Sequence, residues 1–441
     1  MSGSEPYAGL GQVAEARAAH VSSQALVASG QSHAPLVLAC KHCDTLHVDV
    51  EVEPGGMALC DCCGYVLRRR SRFTLSFWSA LTAAALIVFG IANLFPLVEL
   101  SLLGKTVSTN FVGALWTTWA SGHFLLSAMT GMVGFWFPLT QLCFLFWALG
   151  CLRRGDLPHD FRAAMRIYHF VGPWSMVPVL MLAIFVSIVK FAGMANLDPG
   201  TGVWAFCVLT FMLTALSRLD AERMWQLAEE RGLVILSRDS GLPAERMAAC
   251  HACGYVQPWD PEVGPCACER CGMTVRKRHE DMSSRVWALL IAAAVVYIPA
   301  NVLPMMEIRT LLGNSAHTIL GGVIELWQLG SWDLAIIVFV ASVVVPITKL
   351  VALTVLMCAR KWKGNRSQRQ RTRLYELVEY IGQWSMLDVF VVVLMAAMAN
   401  FPGVSQIIAG PAAASFGMVV VLTMLAAMSY DPRTGWDRQP R

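Results

Sequence analysis

Eight of the 14 cysteines in this 441-residue chain fall into four C-x-x-C pairs: Cys40 with Cys43, Cys60 with Cys63, Cys250 with Cys253, and Cys268 with Cys271. Two thiolates on one tight turn can face a single ion, and two such turns complete a tetrahedral shell of four sulfurs. The pairs stand 16 residues apart in the first module and 14 in the second, with Gly64 and Gly272 closing the second turn of each. Zinc suits four sulfurs at about 2.3 Å, and a closed shell keeps no position for water, so the expectation is two structural Zn2+ sites. Iron accepts the same ligands, and a redox-active dithiol has the same spacing. When the modules are aligned, Cys62 and Cys266 face Arg270 and Ala58, and they are read as non-ligands.

A second group stands out by its setting. Lys349 and Asp388 lie in long apolar stretches, where a charge costs at least about 2.5 to 3.5 kcal/mol and usually faces an interior or a wet cavity. Counting from the ends of their stretches places both in the same half of a bilayer, at depths about 6 Å apart, so a pair is expected. Helical spacing adds Ser342, seven residues before Lys349, and Ser385, three before Asp388; Thr348 is adjacent and Thr423 falls at similar depth. Pro346 frees a backbone carbonyl nearby. These residues form an expected polar network joining three helices.

The elements that must hold these residues follow from composition and repetition. Hydrophobic residues make up 56% of the chain and charged residues 15%, which is far too apolar for three soluble domains. Net charge is only +4, and nothing points to nucleic acid. Apolar runs at roughly 75–97, 124–150, 170–192, 203–217, 286–305, 333–358, 382–400 and 409–429 predict eight spans. Landmarks recur at an offset of 208 to 210: Asn93-Leu-Phe-Pro96-Leu-Val-Glu99 and Asn301-Val-Leu-Pro304-Met-Met-Glu307, Pro138 and Pro346, Gly172-Pro-Trp-Ser-Met176 and Gly382-Gln-Trp-Ser-Met386. The chain is a tandem duplication. In that alignment Lys349, Asp388 and Ser342 meet Gln141, Pro178 and Gly134, so the first half lacks the charged network.

The predicted fold is an all-α multi-pass membrane protein with two tandem four-helix transmembrane units, each preceded by a small cytoplasmic zinc ribbon. Residues 1–38 form a disordered tail, 39–70 ribbon 1, 71–220 unit 1, 221–248 a linker, 249–280 ribbon 2, 281–433 unit 2 and 434–441 a tail. Lys and Arg gather in the connections on one side, among them Arg68 to Arg72, Arg153 to Arg166 and Arg360 to Arg373, against only Lys105 and Arg309 opposite. That asymmetry places both termini and both ribbons in the cytoplasm. The outer connections, roughly 99–123 and 307–332, carry Trp116, Trp119, Trp327 and Trp332 and are expected to hold helices lying on the membrane, or a dock for a periplasmic protein.

The two Cys ribbons, each followed by an N-x-x-P-x-x-E first span and a G-x-W-S-M third span, resemble the paraquat-inducible protein A family over about residues 38–433. The resemblance implies an integral protein of the bacterial inner membrane that partners a periplasmic MCE-domain protein, an oligomeric tunnel, and passes lipid, with phospholipid as cargo. It implies no enzyme, in keeping with the absence of a G-x-x-x-x-G-K-[ST] nucleotide motif from the sequence. On that reading the network around Lys349 serves gating or coupling. The alternatives are a membrane-anchored zinc-ribbon adaptor or regulator without transport, and a membrane redox enzyme using the Cys pairs.

Overall fold

The computed structural model describes residues 37–48, 52–102, 105–192, 196–234, 246–278, 281–310, 313–328, 330, 332–358, 365–398 and 405–436. Ribbon 1 is two hairpins, β1 (Val37–Ala39) with β2 (Leu46–Val48) and β3 (Met57–Leu59) with β4 (Val66–Arg69). Residues 37 and 38, expected in the tail, belong to β1, and residues 1–36 lie outside the described residues. Unit 1 runs α1 (Leu75–Leu94), β5 (Val98–Leu102), β6 (Lys105–Thr109), α2 (Phe111–Ala120), α3 (Phe124–Gly131), a π-helical turn Met132–Trp136, α4 (Phe137–Arg154), α5 (Phe161–Val171), a 3-10 turn Gly172–Trp174, α6 (Val177–Ala192), β7 (Asn196–Pro199) and α7 (Thr201–Leu216). The stretch expected to be a linker opens with a helix, α8 (Ala221–Glu230), capped by Asp220, whose side chain accepts from the Arg223 N–H.

Ribbon 2 repeats the two hairpins as β8 (Met247–Ala249) with β9 (Val256–Pro258) and β10 (Cys266–Ala267) with β11 (Thr274–Val275). Unit 2 repeats the order of unit 1: α9 (Met282–Val302), β12 (Met306–Thr310), β13 (Gly313–His317), α10 (Ile319–Gln328), α11 (Trp332–Phe339), a π-helical turn Val340–Val344, α12 (Val345–Cys358), α13 (Asn365–Gly382), a 3-10 turn Gln383–Met386, α14 (Leu387–Met398), β14 (Ser405–Ala409) and α15 (Pro411–Ser429).

Six helical stretches among the described residues are long and apolar enough to cross a membrane: Leu75–Leu94, Phe124–Arg154, Phe161–Val189, Met282–Val302, Ala335–Cys358 and Pro411–Ser429. Two of the eight expected spans differ. α7 has 16 residues, about 24 Å, and passes only together with α8 across a 55° bend. The segment 382–400 holds α14, 12 residues or about 18 Å, which is buried on every side from Leu387 to Ala397. Hydropathy does not separate such a helix from a span, because an apolar residue reads the same against protein as against lipid.

Each unit also carries a three-stranded antiparallel sheet, in the orders β6-β5-β7 and β13-β12-β14, whose first two strands share the outer connection with a helix, α2 or α10. Val98, Leu100 and Leu102 alternate with Glu99 and Ser101, a period-2 pattern that favours strand. First and last helices pair within each unit, α1 with α7 and α9 with α15, and the third helices α6 and α14 face each other across the units. α2 and α3 of unit 1 also pack on α14, so the halves interlock.

The shared N-x-x-P pattern closes each unit. Phe95 and Leu303 end the first helices in extended backbone, so the carbonyls of the proline that follows in each and of the residue after it lie outside the helix ladder. The first amides of the last helix use them: Gly200 N–H donates to Leu97 O (2.9 Å) and Gly202 N–H to Pro96 O (3.0 Å), while Gly410 N–H donates to Met305 O (2.8 Å) and Ala412 N–H to Pro304 O (3.2 Å). Helix-start donors that would be orphaned in lipid are thereby satisfied. The approach is so close that a Cβ on Gly200 would lie 2.2 Å from Pro96 O, and one on Gly410 2.1 Å from Pro304 O. Gly410→Ala is therefore expected to lower stability by about 1 to 3 kcal/mol, as overpacking against an unyielding neighbour does. A thermal shift of the detergent-purified protein checks it, with Gly322→Ala, which meets nothing within 4 Å, as the control.

Candidate functional site

The four thiols of each ribbon converge. Cys40 Sγ and Cys63 Sγ are 3.4 Å apart, Cys43 and Cys60 3.5 Å, Cys250 and Cys271 3.5 Å, and Cys253 and Cys268 3.6 Å. No disulfide joins them. Four sulfurs at about 2.3 Å from one ion would be separated by about 3.8 Å, so both clusters are of a size that could hold a metal ion. Hydrogen bonds among the four sulfurs pull the Cys60 and Cys250 thiols below the usual thiol range, led by Cys40 and by Cys253 respectively, and push those two partners above it, so each cluster shares its protons. Cys62 and Cys266 stand outside both clusters; Cys266 Sγ accepts from Gln257 Nε2 at 3.2 Å.

All four Cys turns use one backbone pattern. The amide of the first Cys donates to the carbonyl five residues on, and the residue after the second Cys donates back to the first Cys, as in Gly64 N to Cys60 O and Asp44 N to Cys40 O. That residue has a positive φ, which suits Gly64, Gly254 and Gly272. In the remaining turn it is Asp44, at φ 61°, a conformation that Asp tolerates better than most residues. Its carboxylate joins the two ribbons and the end of the chain: Oδ2 accepts from Arg278 Nη1 at 2.8 Å and Oδ1 from Arg433 Nη1 at 3.4 Å. Buried Arg433 also pairs with Asp431 at 3.1 Å and reaches the His251 ring in ribbon 2. Burial, then the nearby Lys41 charge, pulls the His42 imidazole down to about 4, and the ring stacks on Tyr65.

α8 ties both ribbons to the membrane units. Lys41 pairs with Glu222 (2.5 Å) and Asp220 (3.5 Å), Arg68 with Glu230 (3.0 Å), and Arg270 with Glu229 (3.2 Å) while lying over the Trp225 ring. Trp225 packs edge-on against Phe161 of α5. None of these links is visible as a motif; only the amphipathic spacing of Met224, Trp225 and Ala228 hints at a helix with something to cover.

In unit 2, Lys349 is buried on α12. Its Nζ donates to Thr423 Oγ1 of α15 at 3.1 Å and to Gly382 O at 3.4 Å, and Ser385 Oγ donates to the same carbonyl at 2.8 Å. Gly382 leaves room for this: a Cβ there would lie 3.0 Å from Lys349 Cε and Nζ. Lys349 and Ser385 thus meet at one carbonyl that side-chain patterning does not reveal, while the Thr423 hydroxyl, which accepts from Lys349, donates to Val420 O at 3.0 Å. Among the described residues the ammonium bonds Thr423 and the Gly382 carbonyl, and Asp388, its expected partner, is buried one turn beyond Ser385. Ser342 is buried in the π-helical turn and donates to Val338 O at 2.6 Å, while Thr348 faces outward, away from the cluster. The π turns themselves recur, with Phe137 N–H on Met132 O and Val345 N–H on Val340 O, each just before a proline that supplies no donor.

A family model for paraquat-inducible protein A matches residues 75–229 and 283–439, one stretch in each half. Among known proteins, the chain is similar to the intermembrane transport protein PqiA of Escherichia coli K12, at 29% identity over 92% of this chain and 97% of that protein. It is also similar to the lipophilic envelope-spanning tunnel protein A of the same strain, at 29% identity over 90% of each, and to a probable intermembrane transport protein of Haemophilus influenzae, at 26% over 91% and 95%. No solved structure matches the chain.

Elemental analysis of the purified protein is expected to find about two zinc ions per chain, falling to about one in Cys253→Ser. Asp44→Asn is expected to keep both ions but to free ribbon 1, since removing one partner of a buried charge cluster costs about 3 to 5 kcal/mol. Limited proteolysis of residues 39–70 would read that release as faster cleavage.

Proposed function

The chain belongs to the paraquat-inducible protein A family, and from that footing we propose that it is a non-enzymatic component of an intermembrane lipid-transport system in the bacterial inner membrane. It passes phospholipid between that membrane and a periplasmic tunnel of MCE-domain protein, with both ribbons and both termini on the cytoplasmic side. The two Cys clusters hold structural zinc. The four thiolates of each site would close its shell, so the metal's contribution there is to fold a module too small for its own core.

The observation that carries the reading is Lys349. An ammonium in the membrane interior is expensive, yet unit 1 builds the same scaffold with Gln141 in its place, so folding alone does not require it. Among the described residues Lys349 uses two acceptors, Thr423 and Gly382 O, whereas an ammonium carries three donors. The remaining donor suits a phosphate oxygen of a passing headgroup, and Asp388 nearby supplies a second titratable group for coupling. The π turn beside it gives α12 a wide, adjustable turn just before Pro346. A purely anchoring adaptor would have no use for this cluster.

Lys349→Met and Asp388→Asn are expected to cut lipid transfer by reconstituted protein and its tunnel partner on the order of tenfold, equal to about 1.4 kcal/mol. Zinc content and thermal stability should stay near wild type. If both variants are stable and fully competent, gating by this cluster is wrong, and the adaptor reading takes its place.

A further inference from the structure

We infer that the exposed face of the β3–β4 hairpin in ribbon 1 docks on the anionic headgroup layer of the membrane from which α1 emerges. β3 and β4 are antiparallel, with Met57 opposite Arg69 and Leu59 opposite Val66. Residues opposite one another share a face. On this face Met57, Leu59 and Val66 are 49%, 44% and 41% exposed, an apolar cluster on a module whose other large apolar side chains are half-buried.

The surround of that cluster is cationic. Arg69 is exposed on the same face, and Arg70 and Arg72 are exposed just beyond it. Among the described residues, ion pairs engage Arg68 but none of these three. Phe73 and Phe77, stacked at 4.5 Å and exposed, carry the apolar surface onto the first turn of α1. Only residues 70–74 separate β4 from α1, a reach of roughly 20 Å, so the hairpin stays close to the membrane surface at which α1 begins. Apolar side chains ringed by arginines and tethered at that height match the chemistry of an anionic lipid surface.

Ribbon 2 supplies an internal comparison. At the same offset Met57, Leu59 and Val66 become Pro265, Ala267 and Thr274, Arg72-Phe73 becomes Glu280-Asp281, and Phe77 becomes Arg285. The four-sulfur fold therefore does not call for an apolar, cationic face. Of the basic residues that persist there, Lys277 lies over the Trp259 ring and Arg278 pairs with Asp44, so both are turned to protein.

The proposal rests on the orientation above only for which leaflet is met. Its test is hydrogen–deuterium exchange of the full chain in nanodiscs of phosphatidylcholine alone or with about 30% phosphatidylglycerol. Amides of residues 55–70 are expected to exchange at least about threefold slower in the anionic discs, and those of 266–275 equally in both. The triple variant Met57→Ser, Leu59→Ser, Val66→Ser should lose the difference while keeping its zinc; Arg69→Ser with Arg72→Ser should lose the dependence on phosphatidylglycerol. Identical exchange of the wild-type hairpin in both discs and in detergent overturns the proposal, as it would if a protein covers this face instead. Lipid transfer by the Lys349 variants is read separately, so either idea can fail alone.

Discussion

A helix that begins inside or against lipid has backbone donors with no water to turn to, and both units meet this constraint in the same way. The proline corner that ends the first helix offers its carbonyls to the opening amides of the last, with a glycine at the crossing because nothing larger fits. That contact fixes α1 against α7 and α9 against α15. Around those two fixed pairs, the third helices α6 and α14 are left to meet in the middle. The sheets at the corners follow, since β5 and β12 grow directly out of them and recruit β7 and β14 from the segments that lead into the last helices.

Much of this was legible because it is local or repeated. Cys spacing determines which thiols can meet, and a 208-residue offset exposes landmarks whatever they do. What stayed hidden depends on distance. β7 pairs with β5 across about a hundred residues, so its short Asn196–Pro199 stretch carries no signal of its own. The acceptor for Lys349 is a backbone carbonyl, and residue types do not report where carbonyls point. Thr348 and Ser342 were placed by counting an undisturbed helix, whereas a π turn runs through Val340–Val344, immediately before Pro346. Asp44 looked like any residue after a Cys pair, and its bridging role exists only once the two ribbons are side by side.

Duplication lets each half serve as the reference for the other. The scaffold, the corners, the π turns and the Cys turns recur, and they answer to physical demands common to both halves. Among the departures from the repeat, three stand out: the buried ammonium of unit 2, the apolar face of ribbon 1, and the aspartate that replaces glycine in one Cys turn. Two of these burden the fold in isolation, by burying a charge or by exposing apolar surface, and the third gives up a glycine's conformational ease. Each is therefore better explained by what it faces than by the stability of its own module.

The burial of α14 among α2, α3 and α6 bears on how the chain is made. Unit 1 leaves the ribosome first, but the helix that completes its core is encoded some 170 residues after its own last span ends. Until residue 398 has been inserted, the inner surfaces of α2 and α6 must be covered by lipid or by the insertion machinery. Assembly of the first half is thus tied to synthesis of the second, and a chain stopped midway would hold a complete four-cysteine ribbon beside an unfinished bundle.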